Sequence, residues 1–359
     1  MTVPGAAQGP SGKSNSGAFF EDFRVGQELR HAAPRTVTTG DAALYIGLTG
    51  SRFALPCSDV FARSLHLPRA PIDDLLVFHI VFGRTVPDVS LNAIANLGYA
   101  GTRFVKAVFP GDTITAESEV IGLKETTSGQ TGIVYANSRG FNQDGETVLE
   151  FIRWVMVKKR DEAAPPPKPV VPQLPPEVTP DLLGRAVLPL YMHGWEGTMS
   201  GSRRRWHHYE VGERMDHVDG MTVEEAEHMM ATRLYQNPAR VHFNQHAEST
   251  GRFGRRIVYG GHVISLARAL SYNGLANAFH VSAINAGRHV APLFAGGTVY
   301  AWSQVVDAAE LPNRADIGAL RLVTTATVDR PCDDFPGRQG NDFAKGVILE
   351  LDYWVLLPR

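Results

Sequence analysis

Residues Arg103–Ile121 read RFVKAVFPGDTITAESEVI, and residues Arg288–Val306 read RHVAPLFAGGTVYAWSQVV. At a constant offset of 185 positions they share Arg103/Arg288, Val105/Val290, Phe109/Phe294, Gly111/Gly296, Thr113/Thr298, Ala116/Ala301, Ser118/Ser303 and Val120/Val305. Upstream, FRVGQEL from Phe23 is echoed by YEVGERM from Tyr209 at an offset of 186, and Thr36-Val37 falls on Thr222-Val223 in the same register. A chain that echoes itself in this way is a duplicated domain. Each half is then a control for the other, because chemistry present in one and missing from its twin is informative.

Working outward from the repeat, each half reads in the same order. An opening strand (around Gln27–Thr38 and Arg214–Thr222) leads into a helical pattern at Asp41–Ile46 and Val223–Met230. A long apolar helix follows, LLVFHIVF at Leu75–Phe82 and HVISLARALSY at His262–Tyr272. In the second of these Val263, Ile264, Leu266, Ala267 and Leu270 recur at helical spacing, whereas the first is apolar almost all round, as an enclosed helix is. Runs of strand character close each half: Thr113–Leu123, Gly132–Arg139 and Thr147–Lys158, answered by Thr298–Val306, Leu320–Val328 and Val347–Leu356. Turns such as Asn142–Gly145 between them predict an antiparallel meander. One buried helix wrapped by a meandering sheet is an α+β plan, the hot-dog arrangement, and here it occurs twice. The predicted fold is a double hot-dog.

Between the halves runs KKRDEAAPPPKPVVPQLPPEVTPD from Lys158. Proline lacks the amide donor that helices and central strands need, so this segment reads as an extended surface linker. The expected division is a first hot-dog domain at 19–160, a linker at 161–182 and a second hot-dog domain at 183–359. The 18 N-terminal residues, rich in Gly, Ser and Pro, read as a disordered leader without a secretory pattern.

Composition narrows the function by exclusion. The formal net charge of -2 over 359 residues gives no electrostatic case for nucleic acid or an anionic membrane as partner. No apolar run is long enough to span a bilayer. Cys57 and Cys332 are too few for a disulfide framework and have no metal spacing, so a reducing cytoplasm is the expected location. No glycine-rich phosphate cradle or His/Cys cluster implies a cofactor or a metal.

The twins differ most in the loop before the central helix. The second half carries Tyr235-Gln-Asn-Pro-Ala-Arg-Val-His242, followed by Phe243-Asn-Gln-His246. Shifted by 186, Asn237 falls on Ser51 and His242 on Pro56, so the first half has nothing there that exchanges a proton. Here the second half resembles the R-specific enoyl-coenzyme A hydratases of the MaoC-like family. Their signature is an Asp with a His five residues later, around an Asn-Pro, on a loop overhanging the hot-dog helix. Asn237 and His242 have that spacing, with Pro238 between them, and Ile257-Val-Tyr-Gly-Gly-His262 resembles the family's glycine at the start of the helix. The resemblance extends over both halves through FFEDFRVGQ, RAPIDDLLVFHIVFG, YQNPARVHFNQH, GRRIVYGGHVISLARALSYNGLANAFH and INAGRHVAPLFAGG.

The resemblance implies reversible hydration of an enoyl-coenzyme A thioester, with the second half catalytic, the first a structural wall, and the chain self-associating into a homo-oligomer. Such chemistry needs a base for water, an acid for Cα, and donors for the developing enolate oxygen. His242 is the expected proton carrier and Asn237 its positioner. Asn237 departs from the family pattern, since an amide cannot take a proton. Registering the loop on its Asn-Pro instead sets Tyr235 at the family's Asp, which is no carboxylate either. Glu248 and His246 are the nearest candidates for a second carrier. The amides of Gly260 and Gly261, at a helix N-terminus, are the expected thioester donors. The members resembled over both halves act on acyl groups with a free carboxylate, which calls for an arginine. Arg240 is the expected partner, with Arg233 or Arg256 behind it. His79 reads as a buried core residue, His262 as a helix-start residue, and Asp73-Asp74 as a helix-terminal pair. Two other functions compete: a hot-dog thioesterase, which places a carboxylate on the central helix, and a non-catalytic acyl-binding module. HVISLARALSY has no Asp or Glu, and a non-catalytic module gives no reason to keep Asn237 and His242 in one half.

Overall fold

The computed structural model describes residues 13–184, 189–312 and 314–359. The first twelve residues of the expected leader lie outside the described residues. The strands are β1 (Glu28–Thr36), β2 (Ala93–Phe104), β3 (Thr113–Glu125), β4 (Thr131–Phe141), β5 (Thr147–Lys158), β6 (Arg214–Asp216), β7 (Met221–Thr222), β8 (His280–His289), β9 (Thr298–Leu311) and β10 (Arg314–Val328). After them come a small ribbon of β11 (Arg338–Gln339) with β12 (Asp342–Phe343), and the last strand, β13 (Val347–Pro358). Apart from the ribbon they form one sheet of 11 strands in the order β1-β3-β4-β5-β2-β8-β13-β10-β9-β6, with β7 also on β9. All its pairings are antiparallel.

Two helices fill the concave side. The first central helix, Asp74–Thr85, buries ten of its 12 residues, and the second, Gly260–Leu270, buries ten of 11. Helices this apolar have no solvent face to offer and are stable only when enclosed. Their packing unites Phe78, Val81, Ile264, Ala267, Ile114, Ala301 and the inward residues of both sheet halves in one core. This is the expected α+β double hot-dog.

The repeat survives at the level of single bonds. His31 Nε2 meets Ser118 Oγ at 2.8 Å, and its twin His217 meets Ser303 Oγ at 2.8 Å. Thr36 and Thr113 share a 2.8 Å hydroxyl contact, as do Thr222 and Thr298. The halves meet about a pseudo-two-fold axis, on which equivalent residues touch. Ala100 of β2 pairs with its own equivalent, Ala286 of β8. His79 Nε2 lies 2.7 Å from Ser265 Oγ, the residue 186 positions on. His79 is thus the buried, hydrogen-bonded core residue its surroundings in sequence implied.

The proline-rich segment crosses the sheet as an extended strap. Val170 bridges Leu123, Pro175 sits over Gly101, and the Val178 amide donates to Asn285 Oδ1 at 2.7 Å. Leu183, Leu190, Met192 and Trp195 then join a second apolar cluster with Phe61, Leu65 and Phe279. Among the described residues no helix is long and apolar enough to cross a membrane.

Candidate active site

The loop singled out by the twin comparison starts where helix Glu225–Leu234 stops. Gln236 adopts a left-handed φ of +51°. Asn237 then folds its side chain onto its own backbone: Oδ1 accepts the Ala239 amide at 3.0 Å, an Asx turn. Its carbonyl oxygen is thereby engaged, and its NH2 group has no acceptor among the described residues. The short helix Arg240–Phe243 turns His242 inward. His242 Nδ1 donates to the Ile257 carbonyl at 3.0 Å, and the Ile257 amide donates back to Val241 at 3.0 Å. A carbonyl only accepts, so Nδ1 carries the proton and Nε2 keeps its lone pair. Burial pulls His242 down to about 4 against a usual value of 6.5, keeping the ring neutral.

Ile257 leads into the second central helix. Its N-cap, Tyr259, makes no side-chain cap, and the Gly260 and Gly261 amides have no acceptor among the described residues. Open amides at a helix N-terminus attract negative charge. Gly260 lines a cleft of about 410 Å³ together with Asn237, His242, Tyr99, Tyr259 and His289. The cleft takes walls from both halves, with Phe82, Val86, Tyr99 and Arg153 from the first and Val263, Val290 and Leu293 from the second.

Several of the expected residues are elsewhere. Gly261 is buried with its Cα turned to the Tyr259 ring and does not line the cleft. Arg240 is exposed, and its guanidinium reaches Asn92 Oδ1 at 3.4 Å, away from the cleft lining. The turn of helix that brings His242 in carries Arg240 out. Arg233 is likewise exposed, and Arg256 pairs with Glu225. His246 is exposed and Glu248 lies outside the cleft. His262 faces the core, where Nδ1 meets Tyr235 Oη at 3.1 Å.

In their place stand residues the loop did not announce. His289, at the end of β8, lies so close to Gly260 that a Cβ there would come within 2.5 Å of its ring. Glycine is required at 260 because imidazole occupies the side-chain space. Burial brings His289 to about 4, with the neighbouring His242 acting in the same direction. Tyr99 Oη is 3.4 Å from His289 Nε2. Tyr259 stands edge-on to His242 with centroids 5.5 Å apart, and its buried hydroxyl has no partner among the described residues. The repeat held the signal for His289, whose twin at offset 185 is Phe104.

The equivalent site in the other half is closed. Its cavity is about 30 Å³, lined by Pro56, Asp73, Asp74, Leu190, Arg268 and His280 among others. Pro56 stands where the open site has His242, and Asp73-Asp74 stand where it has Tyr259-Gly260. Asp73 Oδ1 caps its own helix by accepting the Leu75 amide at 2.9 Å. Asp74 pairs with His280 at 2.9 Å and accepts the Val281 amide at 2.9 Å. A helix start already bearing carboxylates has no amides to spare for an anion.

Comparison with known proteins agrees with this architecture. The family model described as mesaconyl-CoA hydratase matches residues 10–174. The chain is 61% identical to the β-methylmalyl-CoA dehydratase of Chloroflexus aurantiacus, covering 97% of this chain and 99% of that one. It is 54% identical to the mesaconyl-CoA hydratase of Cereibacter sphaeroides, covering 97% and 100%. A solved MaoC domain protein from Chloroflexus aurantiacus superposes with a TM-score of 0.94 at 60% identity, covering 97% and 99%. A Mycobacterium tuberculosis protein with a double hot-dog fold shares the fold at TM-score 0.73 and 24% identity, covering 96% and 99%. On full-length identity to both curated relatives, the chain belongs to the mesaconyl-CoA hydratase family.

Proposed function

We propose that the chain is a hydro-lyase that interconverts mesaconyl-CoA plus water with β-methylmalyl-CoA in the cleft at His242. The observation that carries the reading is a cleft holding a neutral, tautomer-fixed histidine beside open amides at a helix N-terminus. His242 Nε2 takes a proton from water as its oxygen bonds to Cβ. The Cα–Cβ π electrons move toward the thioester, whose oxygen gathers charge beside the Gly260 amide and the helix dipole. His242 then returns the proton to Cα, so that water is added with no net change in the enzyme. Asn237, its oxygen held by Ala239, orients the water by donating from its NH2 group. The reverse sequence dehydrates the hydroxyacyl thioester.

The division of labour follows: residues 183–359 form the catalytic hot-dog, 19–160 supply the wall, and 161–182 strap them together. Coenzyme A thioester chemistry and two unpaired cysteines fit a reducing cytoplasm, and the family resemblance extends the proposal to a homo-oligomer.

The test is purified protein with mesaconyl-CoA. The conjugated enoyl-thioester absorbance should fall with no release of free thiol. Thiol release marks a thioesterase, and no change with any enoyl thioester refutes the hydratase reading. His242→Gln should lower kcat by about a hundredfold or more with its melting temperature kept near that of the parent. Activity near the parent's removes His242 from the mechanism.

A further inference from the structure

Arg153, on β5, is fully buried and lines the cleft. Its Nη1 donates to Ser90 Oγ at 3.3 Å, and its Nη2 to Thr85 Oγ1 at 2.6 Å and Ser90 Oγ at 3.3 Å. The guanidinium lies over the Phe82 ring, 4.2 Å from its centroid. Its Nε is buried with no partner among the described residues. Among the described residues no carboxylate pairs with Arg153. A guanidinium taken out of water without a counter-charge is costly, and hydroxyls and a ring face recover only part of that cost.

The closed site provides the control. There Arg268 is also buried over a ring, 3.5 Å from the Phe53 centroid, and donates to the Ala278 carbonyl. Unlike Arg153, it shares its cavity with Asp73 and Asp74, which supply the opposite charge. The closed cavity carries its own carboxylates, whereas among the described residues no carboxylate lines the open cleft, whose other cation, Arg252, is exposed. Where β5 and β13 follow the seam strands, Arg103 faces Glu150 and Arg288 faces Glu350. In that register the twin of Arg153 is Tyr353, so a cation at this strand position belongs to the open site only.

We infer that Arg153 receives the free carboxylate of the acyl group and so selects dicarboxylic acyl thioesters over monocarboxylic ones. The inference deepens the hydratase reading and rests on the same cleft. The carboxylate accepts from N–H groups that have no other acceptor, and the ion pair forms in surroundings where it is poorly screened. Arg153 comes from the half that lacks His242, so the wall sets specificity and the overhanging loop supplies chemistry.

The test separates binding from turnover by using saturated thioesters, which have no double bond to hydrate. The parent protein should bind succinyl-CoA about tenfold or more tighter than butyryl-CoA, which carries a methyl in place of the carboxylate. Equal binding, or preference for butyryl-CoA, overturns the inference even if mesaconyl-CoA is turned over. Arg153→Gln should abolish the preference by weakening succinyl-CoA alone; retained preference, or equal loss for both ligands, overturns it. Ser90→Asp keeps the guanidinium but places a carboxylate beside it, as in the closed site. It should erase the preference as well, and covers the outcome in which Arg153→Gln does not fold. Failure of mesaconyl-CoA turnover with the succinyl preference intact rejects the hydratase reading and leaves the carboxylate site standing.

Discussion

Enclosure sets the protonation of His242 more than any charge near it. Protein atoms surround the ring and disfavour imidazolium, the Ile257 carbonyl works the other way, and the balance is about 4. A base must be neutral before it acts, and His242 is neutral throughout the range above that value. kcat/KM should therefore stay flat from about pH 5 to pH 8, where a histidine near its ordinary value gives a falling limb around 6.5. A limb near 6.5 would remove His242 as the base. Stability behaves differently in the same window. His217, His262 and His289 are also brought to about 4 by burial. The unfolded chain takes up protons first, so stability is whole above about 6.5 and drains as pH falls toward 4. Melting at pH 5 should lie below melting at pH 7.

At this scale His242 and Asn237, the pair proposed for the chemistry, stood out because Pro56 and Ser51 occupy their positions in the first half, while Gly260 was marked by the resemblance and by its place at a helix start. His289 was missed, although the same comparison sets it over Phe104 at offset 185. Arg153 was beyond that comparison. The loop and ribbon between β10 and β13 lengthen the second half, so β5 and β13 stand about 200 positions apart and the simple register no longer aligns Arg153 with Tyr353.

Between elements, the first central helix holds the loop of the opposite half. At Gly83 a Cβ would fall 2.0 Å from the Tyr235 carbonyl oxygen, at the point where the loop bearing His242 leaves its helix. Arg84 reinforces the dock by donating to Gln236 Oε1. Backbone cannot yield as a side-chain tip can, so Gly83→Ala should cost about 2 kcal/mol or more in urea unfolding and lower kcat by displacing the loop. Gly47 is the matched control. It lies exposed in helix Thr39–Thr49 with nothing within 4 Å of its Cβ position. Gly47→Ala should stabilise by about 0.5–1 kcal/mol and leave kcat alone. Equal behaviour of the two variants refutes the docking argument.

The meander strands were readable because each presents one consistent face to the core. The first central helix was readable because its apolar residues run almost all the way round, as enclosure on every side demands, and the second because its apolar residues recur at helical spacing. The two seam strands, β2 and β8, escaped this reading. Their burial follows no alternation, since each pairs on both edges at the junction of the halves, and Gly98, Gly101 and Gly287 weaken their strand character. The second half's opening strand, expected as one run over Arg214–Thr222, is broken into β6 and β7 around Val218, whose φ is +67°.

Over the whole molecule, duplication has been turned into asymmetry. A pseudo-two-fold fold builds two equivalent clefts, each formed by the loop of one half and the wall of the other. Here one remains at about 410 Å³ while the other shrinks to about 30 Å³. Leu190, from the segment after the strap, helps line the closed cavity, and Arg268 with Asp73 and Asp74 occupies its interior. Opening that site would expose Asp73, whose carboxyl burial raises to about 6, and would separate Arg268 from the carboxylates beside it. Those groups are held by mutual compensation, so a ligand gains nothing by displacing them. Titration calorimetry with succinyl-CoA should therefore saturate at one molecule per chain, although the chain contains two hot-dog halves. A stoichiometry of two would mean that the closed cavity opens to ligand. It would sink the division into a catalytic half and a wall.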